Sequence, residues 1–201
     1  MHSDRLAEWL RQQLVGRAEP LFVGLDGRSG AGKSTLAAAM RKEFGSDTVV
    51  VIEGDQFYAG GTGRSWDARS VADKVANAMD WSRQETVLRS LRSTGEATWH
   101  PFDWEATDWD SGEARLAETT IEACSLPIVF LEGAYSCRPE LHSQLDALVL
   151  LDPPPEVRRA QLLGREGDAY RAEWEGRWST AEDHYFSHIM PPDKFDLVLA
   201  G

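Results

Sequence analysis

The chain is predicted to fold as α/β, with a five-stranded parallel sheet, helices on both faces and a small lid. Three observations predict it. Five short apolar runs, at residues 21–26, 48–53, 127–132, 145–152 and 195–200, alternate with segments of helical composition. Strands that read as unbroken apolar runs are buried on both faces, and their alternation with helices implies parallel pairing. Between the first run and the first strong helix former stands Gly27-Arg28-Ser29-Gly30-Ala31-Gly32-Lys33-Ser34, which fits G-x-x-x-x-G-K-[ST] in the strand–loop–helix context that motif requires. Together these define a P-loop NTPase fold. The 201 residues suit a single domain over 1–201, long enough to bury about 70% of its unfolded surface without a staple.

Taken in order, residues 3–15 read as an amphipathic helix, with Leu6, Leu10 and Leu14 one turn apart and Gly16 as its stop. The strand at 21–26 leads through the glycine-rich loop into a helix over Lys33–Phe44, where Leu36, Met40 and Phe44 share a face and Gly45 ends the run. Residues 48–53 are almost all β-branched, the composition of a strand. Gly60-Gly61-Thr62-Gly63 is expected to be a flexible loop, and 68–79 a helix. Asp80 or Ser82 caps a further helix to about residue 93, Ser82 and Glu85 having capping-box spacing, and Gly95 ends it. Residues 97–110 are aromatic and irregular and read as a hairpin, and 113–124 as a helix. After the strands at 127–132 and 145–152, Pro153-Pro154-Pro155 breaks the chain and opens a helix to about residue 163. A helix over 174–188, with Trp174 and Trp178 packed into the core, precedes the last strand. A substrate-side insertion falls at about 56–112 and the lid at about 155–175.

Composition narrows the partners. A net charge of −12 and a pI of about 4.8 argue against a nucleic-acid surface, which requires clustered Lys and Arg. They leave room for an anionic ligand at one local basic pocket. Cys124 and Cys137 match no zinc or C-x-x-C spacing, and two free thiols suit a reducing cytoplasm. The N-terminal residues carry no apolar signal core and no run reaches membrane-spanning length. The expectation is a cytoplasmic protein with a small-molecule substrate, with neither nucleic acid nor membrane as partner; a homo-oligomer is compatible with it. The five histidines form no metal set, since His184 and His188, though one turn apart, lack a third ligand.

The glycine-rich loop carries the chemistry. Its glycines let main chain wrap a phosphate, and the helix beginning near Gly32 aims its free amides and positive dipole end at the same point. Gly27, Ser29, Gly30, Ala31, Gly32, Lys33, Ser34 and Thr35 therefore form the ATP site, with Lys33 at the β- and γ-phosphates and Ser34 on Mg²⁺. Asp55, just past the second strand, leaves the sheet on the edge that holds the loop, where a carboxylate can take the proton of an attacking hydroxyl; the competing role is a turn cap. Glu132 ends the third core strand and holds magnesium or hydrogen-bonds the loop. Arg158, Arg159 and Arg165 follow the fourth strand. Arg159 reads as solvated surface, and Arg165, between Gly164 and Gly167, as the charge on a moving lid. Asp103 lies among Trp99, Trp104 and Trp109, which either wall a pocket or form a satellite cluster under a loop.

With these residues in place, the chain resembles the uridine kinase-like branch of P-loop kinases over nearly its whole length. Asp55-Gln56-Phe57-Tyr58 looks like the branch's D-x-F-Y, Ala78-Met79-Asp80-Trp81 its stretch before the next helix, Pro101-Phe102-Asp103-Trp104 a shortened P-x-Y-D-F, and Glu132-Gly133 its E-G. Arg158 and Arg165-Glu166 fall at the spacing of its lid motif, and Phe195-Asp196-Leu197-Val198 at its closing strand. The resemblance implies an ATP- and Mg²⁺-dependent kinase of a hydroxyl group. It puts Asp55, Lys33 and Arg165 in catalysis, Arg158 at the nucleotide, Ser34 and Glu132 at the metal, and Tyr58, Phe102, Asp103 and Trp104 with Asp55 at the substrate. The departures lie on the acceptor side. The lid's paired arginines fall on Gln161 and Leu162, Thr107 stands nearest the base-reading histidine, and Phe102 replaces a tyrosine. The resemblance thus implies a kinase of a nucleoside-like compound or another alcohol metabolite, with uridine disfavoured; a larger and more apolar alcohol fits the tryptophans as well. Two rivals stay open: a nucleoside monophosphate kinase, for which Arg64 and Arg69 are the nearby cations, and a non-catalytic ATP-binding regulator. A GTPase is excluded because the one asparagine, Asn77, is in no N-K-x-D.

Overall fold

In the computed structural model, residues 2–167 and 176–200 are described. Helix α1 (His2–Leu14) precedes β1 (Leu21–Asp26), α2 (Lys33–Phe44) and β2 (Val49–Glu53). A 3₁₀ turn (Gly54–Phe57) leads to α3 (Gly63–Asp67), α4 (Val71–Asn77) and α5 (Trp81–Thr94). Then come β3 (Glu96–Trp99), β4 (Ile121–Cys124), β5 (Ile128–Glu132) and β6 (Ala147–Asp152). Helices α6 (Pro155–Glu166) and α7 (Ser179–His184), a π turn (Tyr185–Ile189) and β7 (Leu197–Ala200) complete the described chain.

The five apolar runs form one parallel sheet in the order β2-β5-β1-β6-β7. Every residue of β1 and β5 is buried, as central strands covered on both faces must be. On one face, Leu6 and Leu10 of α1 and Leu36 and Met40 of α2 pack against Val23, Leu25 and Phe130. On the other, Val87, Leu88 and Leu91 of α5 cover Phe22, Ile52 and Val129, while Tyr185, Phe186 and Met190 cover Leu150. Each such side chain contributes about 1.5–3 kcal/mol of transfer free energy. The register places Leu25 and Glu53 on either side of Glu132, so β1, β2 and β5 end level at one edge of the sheet.

Several expectations are corrected. Residues 113–124 do not form a helix: β4 pairs antiparallel with β3, Glu96 facing Cys124 and Trp99 facing Ile121. The burial of 121–124 alternates with period two, and a strand partner overrides weak helix propensity. The partner of residues 96–99 therefore lies beyond the aromatic stretch rather than within it as a hairpin. Residues 68–79 form no single helix, because Ser70 restarts the chain by capping α4 through the Asp73 amide at 3.1 Å. Gly63 belongs to α3, capped by Thr62 through the Ser65 amide at 3.0 Å. Asp80, not Ser82, caps α5, accepting from the Arg83 amide at 3.2 Å, and α6 runs three residues past 163. Of the helix expected over 174–188, Trp174 lies outside the described residues, and the described part widens into the π turn with Met190 N–H bonded to Tyr185 O at 2.8 Å. Among the described residues no helix is long and apolar enough to cross a membrane.

Candidate active site

The phosphate loop joins the buried tip of β1 to α2. Gly30 takes φ +72°, and a Cβ there would stand 2.5 Å from Arg158 O and 2.7 Å from Leu162 Cγ, so α6 packs directly on the loop. Gly32 starts α2 at φ +92°, with no side-chain cap and no acidic residue in the first turn. A helix start left this way offers orphan amides and a positive dipole end to an anion. The Lys33 Nζ folds over the loop, donating to Gly27 O at 2.8 Å and Arg28 O at 3.3 Å.

Three side chains brace the loop from behind. Asp26, fully buried, accepts from the amides of Gly27 (2.7 Å), Tyr135 (3.0 Å) and Cys137 (3.0 Å) and from the Tyr185 hydroxyl (2.8 Å). Burial pushes the Asp26 pKa up, against the pull of the Cys137 amide, the Tyr185 hydroxyl and Lys33. Tyr135 is held at φ +63°, a left-handed conformation that costs a residue with a Cβ about 1–2 kcal/mol and that the Asp26 bond to its amide fixes. Glu182 of α7, only 5% exposed, accepts from both the Ser29 amide (2.9 Å) and the Ser29 hydroxyl. Its neighbour Asp183 pairs with Arg28 at 2.6 Å.

In front of the loop lies a cleft of about 920 Å³. Lys33, Ser34, Thr35, Asp55, Glu132 and Arg165 line one part, and Tyr58, Met79, Trp66, Trp104, Trp109 and Trp178 another. Asp55 arrives on the 3₁₀ turn that follows β2 directly. Burial raises the pKa of Glu132; Ser34 and Lys33 oppose this, and the charges of Asp55 and Glu53 add to it. A hydroxyl and a carboxylate facing each other form a hard oxygen pair that suits Mg²⁺, which takes one or two protein ligands and fills the rest with water and phosphate. Among the described residues no cluster of three or more acidic, His or Cys ligands exists, so Ser34 and Glu132 would hold such an ion with its other positions left to non-protein oxygens.

The structure gathers most of the expected residues and sets others apart. Ser29, Gly30 and Gly32 line the cleft with those already named. Ala31 is buried, and Gly27 lies with its Cβ position 2.4 Å from Leu151 O; both shape the loop from beneath. Arg158 lines a smaller neighbouring cleft with Arg28, Asp152 and Asp183. Phe102 is buried and packs edge-on against Tyr58 at 5.2 Å, supporting the wall without lining it. The Asp103 carboxylate accepts from the amides of Glu105 and Ala106 and so caps a turn. Trp99 belongs to the core, stacked on Phe57 and donating to Gln56 at 2.9 Å. Trp178 packs against the core as expected, and also borders the cleft, beside Trp66 at 5.0 Å. The rings of His184 and His188 stack on each other.

Sequence reasoning missed Trp66, Tyr135, Arg177 and Glu182. The first carried one usable signal, an aromatic directly after a glycine-rich loop. Glu182 carried none, since its partner Ser29 lies 153 residues away.

A phosphate loop at the sheet's carboxyl edge, faced by acids from the neighbouring strands, defines a P-loop kinase. The family model "Phosphoribulokinase / Uridine kinase family" matches residues 22–173, and the chain belongs to that family. A uridine kinase of Clostridium perfringens is 28% identical over 154 residues, covering 73% of this chain and 68% of that protein. Two solved structures share the fold. A possible uridine kinase from Bacillus stearothermophilus is 20% identical with a TM-score of 0.65, over 98% of this chain and 99% of the other. D-glycerate 3-kinase from Cryptococcus neoformans is 16% identical with a TM-score of 0.58, over 85% and 80%. The protein is an ATP-dependent small-molecule kinase, and neither the monophosphate kinase nor the regulator is favoured.

Proposed function

We propose that the cleft transfers the γ-phosphate of ATP to the hydroxyl of a small-molecule alcohol. The α2 amides and Lys33 hold the β- and γ-phosphates against the start of the helix. Ser34 and Glu132 hold Mg²⁺, which when bound supplies charge neutralisation at the phosphates. Asp55 accepts the proton of the acceptor hydroxyl as its oxygen attacks phosphorus, and Arg165, on α6, screens the charge of the moving phosphoryl group. Most of the acceleration then comes from positioning and charge stabilisation rather than covalent chemistry. The one domain, with a lid at about 155–175, of which 168–175 lie outside the described residues, and an acceptor side at about 56–112, works in the cytoplasm on a small molecule without nucleic acid or membrane, and a homo-oligomer is compatible with this. Arg158, which lines the smaller neighbouring cleft and whose backbone abuts the loop at Gly30, is proposed at the nucleotide on the resemblance alone.

One observation carries the reading: Lys33, at the start of the helix after β1, and Asp55, in the turn after β2, line a single cleft at one edge of the sheet, with β5 between their strands. ATP consumption is to be measured against nucleosides, sugars, amino alcohols and natural-product scaffolds, with Lys33→Ala as the blank. For whichever acceptor is turned over, Asp55→Asn is expected to lower kcat at least about a hundredfold, the lower end for a lost general base, while ATP affinity survives. Unchanged turnover would remove Asp55 from the mechanism.

A further inference from the structure

The part of the cleft beyond Asp55 is walled by aromatic rings, and three polar groups beside them, the Trp66 indole, Arg177 and Thr107, are engaged within the protein. Tyr58, three residues past Asp55, stacks on Trp104 at 5.1 Å and 21°, and Trp104 stacks on Trp109 at 5.9 Å and 25°. Trp66 and Trp178 form a second pair, joined to the first through Tyr58 at 6.1 Å. Trp104 and Trp109 are 48% and 43% exposed, a large apolar surface turned toward solvent in a concave site. The Trp66 indole donates to Gly60 O at 2.9 Å. Arg177 is bound to Asp67 through two nitrogens at 2.7 and 3.1 Å. Thr107 is buried, its hydroxyl donating to Asp103 O and accepting from the Arg115 amide at 3.4 Å.

We infer that the acceptor is a neutral alcohol bearing a planar aromatic ring system, which lies against the indoles while its hydroxyl meets Asp55. The inference rests on the kinase function proposed for the same cleft. A phosphorylated acceptor needs a cation beside its phosphate; of the arginines at this wall, Arg177 is neutralised by Asp67 and Arg69 is laid over the Trp66 ring at 4.0 Å. A sugar or a nucleobase edge is selected by polar groups placed to hydrogen-bond it, and Trp66 Nε1 and Thr107 are spent within the protein. A small quaternary ammonium is held by ring faces converging on one point. Here Tyr58, Trp104 and Trp109 stack face to face in succession, each within about 25° of its neighbour, a column of near-parallel ring planes that a further flat ring extends.

The test is calorimetric titration of the full chain, saturated with a non-hydrolysable ATP analogue, with 2-(2-naphthyl)ethanol, uridine, ribose 5-phosphate, glycerol and choline as separate probes. The naphthyl alcohol is expected to bind at least about tenfold tighter than any of the others, the equivalent of one ring stacked on an aromatic side chain. With ATP it is expected to be phosphorylated by the wild type and not by Lys33→Ala. Trp104→Ala is expected to weaken its binding about tenfold and Trp104→Phe to restore it, with KM for ATP unmoved; Trp109→Ala gives the same reading if Trp104→Ala fails to fold. Tighter binding of uridine, ribose 5-phosphate, glycerol or choline overturns the inference and leaves the kinase standing. So does naphthyl binding that is absent, or that ignores both indole substitutions. Failure of the ATP analogue itself to bind the wild type strikes the kinase function instead, and the first titration reads that separately.

Discussion

Glu182 offers the sharpest test of how this phosphate loop is held. Its carboxylate is buried and accepts two hydrogen bonds from Ser29, one from the amide and one from the hydroxyl. Glu182→Ala leaves the Ser29 amide without its acceptor, and the hydroxyl free to rotate toward another. An orphaned buried donor costs about 1–3 kcal/mol, and a hydrogen bond to a charged group contributes about 1.5–3 kcal/mol. The expected loss is therefore about 2–3 kcal/mol, or about 5–10 °C in melting temperature for a chain of this size. Glu182→Gln keeps an oxygen in place but removes the charge, so a loss of about 1 kcal/mol is expected. The neighbouring Arg28–Asp183 pair is half in water, the Asp183 side chain being 69% exposed; Asp183→Asn should cost less than about 1 kcal/mol and serves as the internal control. Because Ser29 sits inside the nucleotide loop, Glu182→Ala should also raise KM for ATP about tenfold, the equivalent of 1.4 kcal/mol, with a smaller change in kcat. Urea denaturation and steady-state kinetics read the two effects independently. Glu182→Ala within about 0.5 kcal/mol of wild type, with KM for ATP unmoved, would refute the brace.

Two further outcomes follow from single residues. Cys137 is fully buried beneath Gly24, where a Cβ would come within 2.6 Å of its sulfur, and burial together with the Asp26 charge holds its thiol well above the usual range. Cys124 is exposed, so a chromogenic disulfide reagent should titrate one thiol in the native protein and two in denaturant; two native thiols of equal rate would contradict the packing. Burial alone would raise the Asp146 carboxyl, but the Phe22 amide (2.9 Å), Arg92 (3.0 Å) and Arg17 (2.7 Å) more than offset it and its pKa is lowered. A carboxyl depressed in the fold stabilises above its unfolded value of about 3.9, and that stability is lost as pH falls through the folded value. Urea midpoints at pH 6 and pH 3 should therefore differ more for wild type than for Asp146→Asn, and equal differences would show that the cluster contributes nothing to acid lability.

Where the determinants were local, the sequence was readable. The β1–loop–α2 unit needs only consecutive residues: six buried positions, glycines at the turns and a helix former behind them. The five parallel strands were visible for the same reason, each being an apolar run that no solvent-facing strand would carry. Residues 113–124 misled because a short strand at a half-buried edge shows only two inward positions, Ile121 and Ala123, too few to separate period two from period 3.6. The aromatic stretch was half legible. Its tryptophans signalled a pocket wall, yet only the backbone decides that Trp104 and Trp109 face the cleft while Trp99 faces Phe57.

The acids at the sheet edge show how register creates chemistry that no single strand contains. Asp26, Glu53 and Glu132 each close an apolar run, and each alone reads as a strand end meeting water. Parallel pairing sets Glu53 beside Glu132, and the 3₁₀ turn then brings Asp55 close enough for its charge to raise the Glu132 pKa. Like charges gathered at one edge destabilise one another, so their persistence needs a compensating field. Asp26 finds it in three amides and the Tyr185 hydroxyl, and the Glu132 carboxyl in Ser34 and Lys33. Glu53 and Asp55 have no such depth of support and face the solvent. That difference matches the proposed division of roles: the acid enclosed by donors holds the loop, the half-compensated one is the proposed ligand of a cation, and the exposed one, Asp55, is the one proposed to face the acceptor hydroxyl.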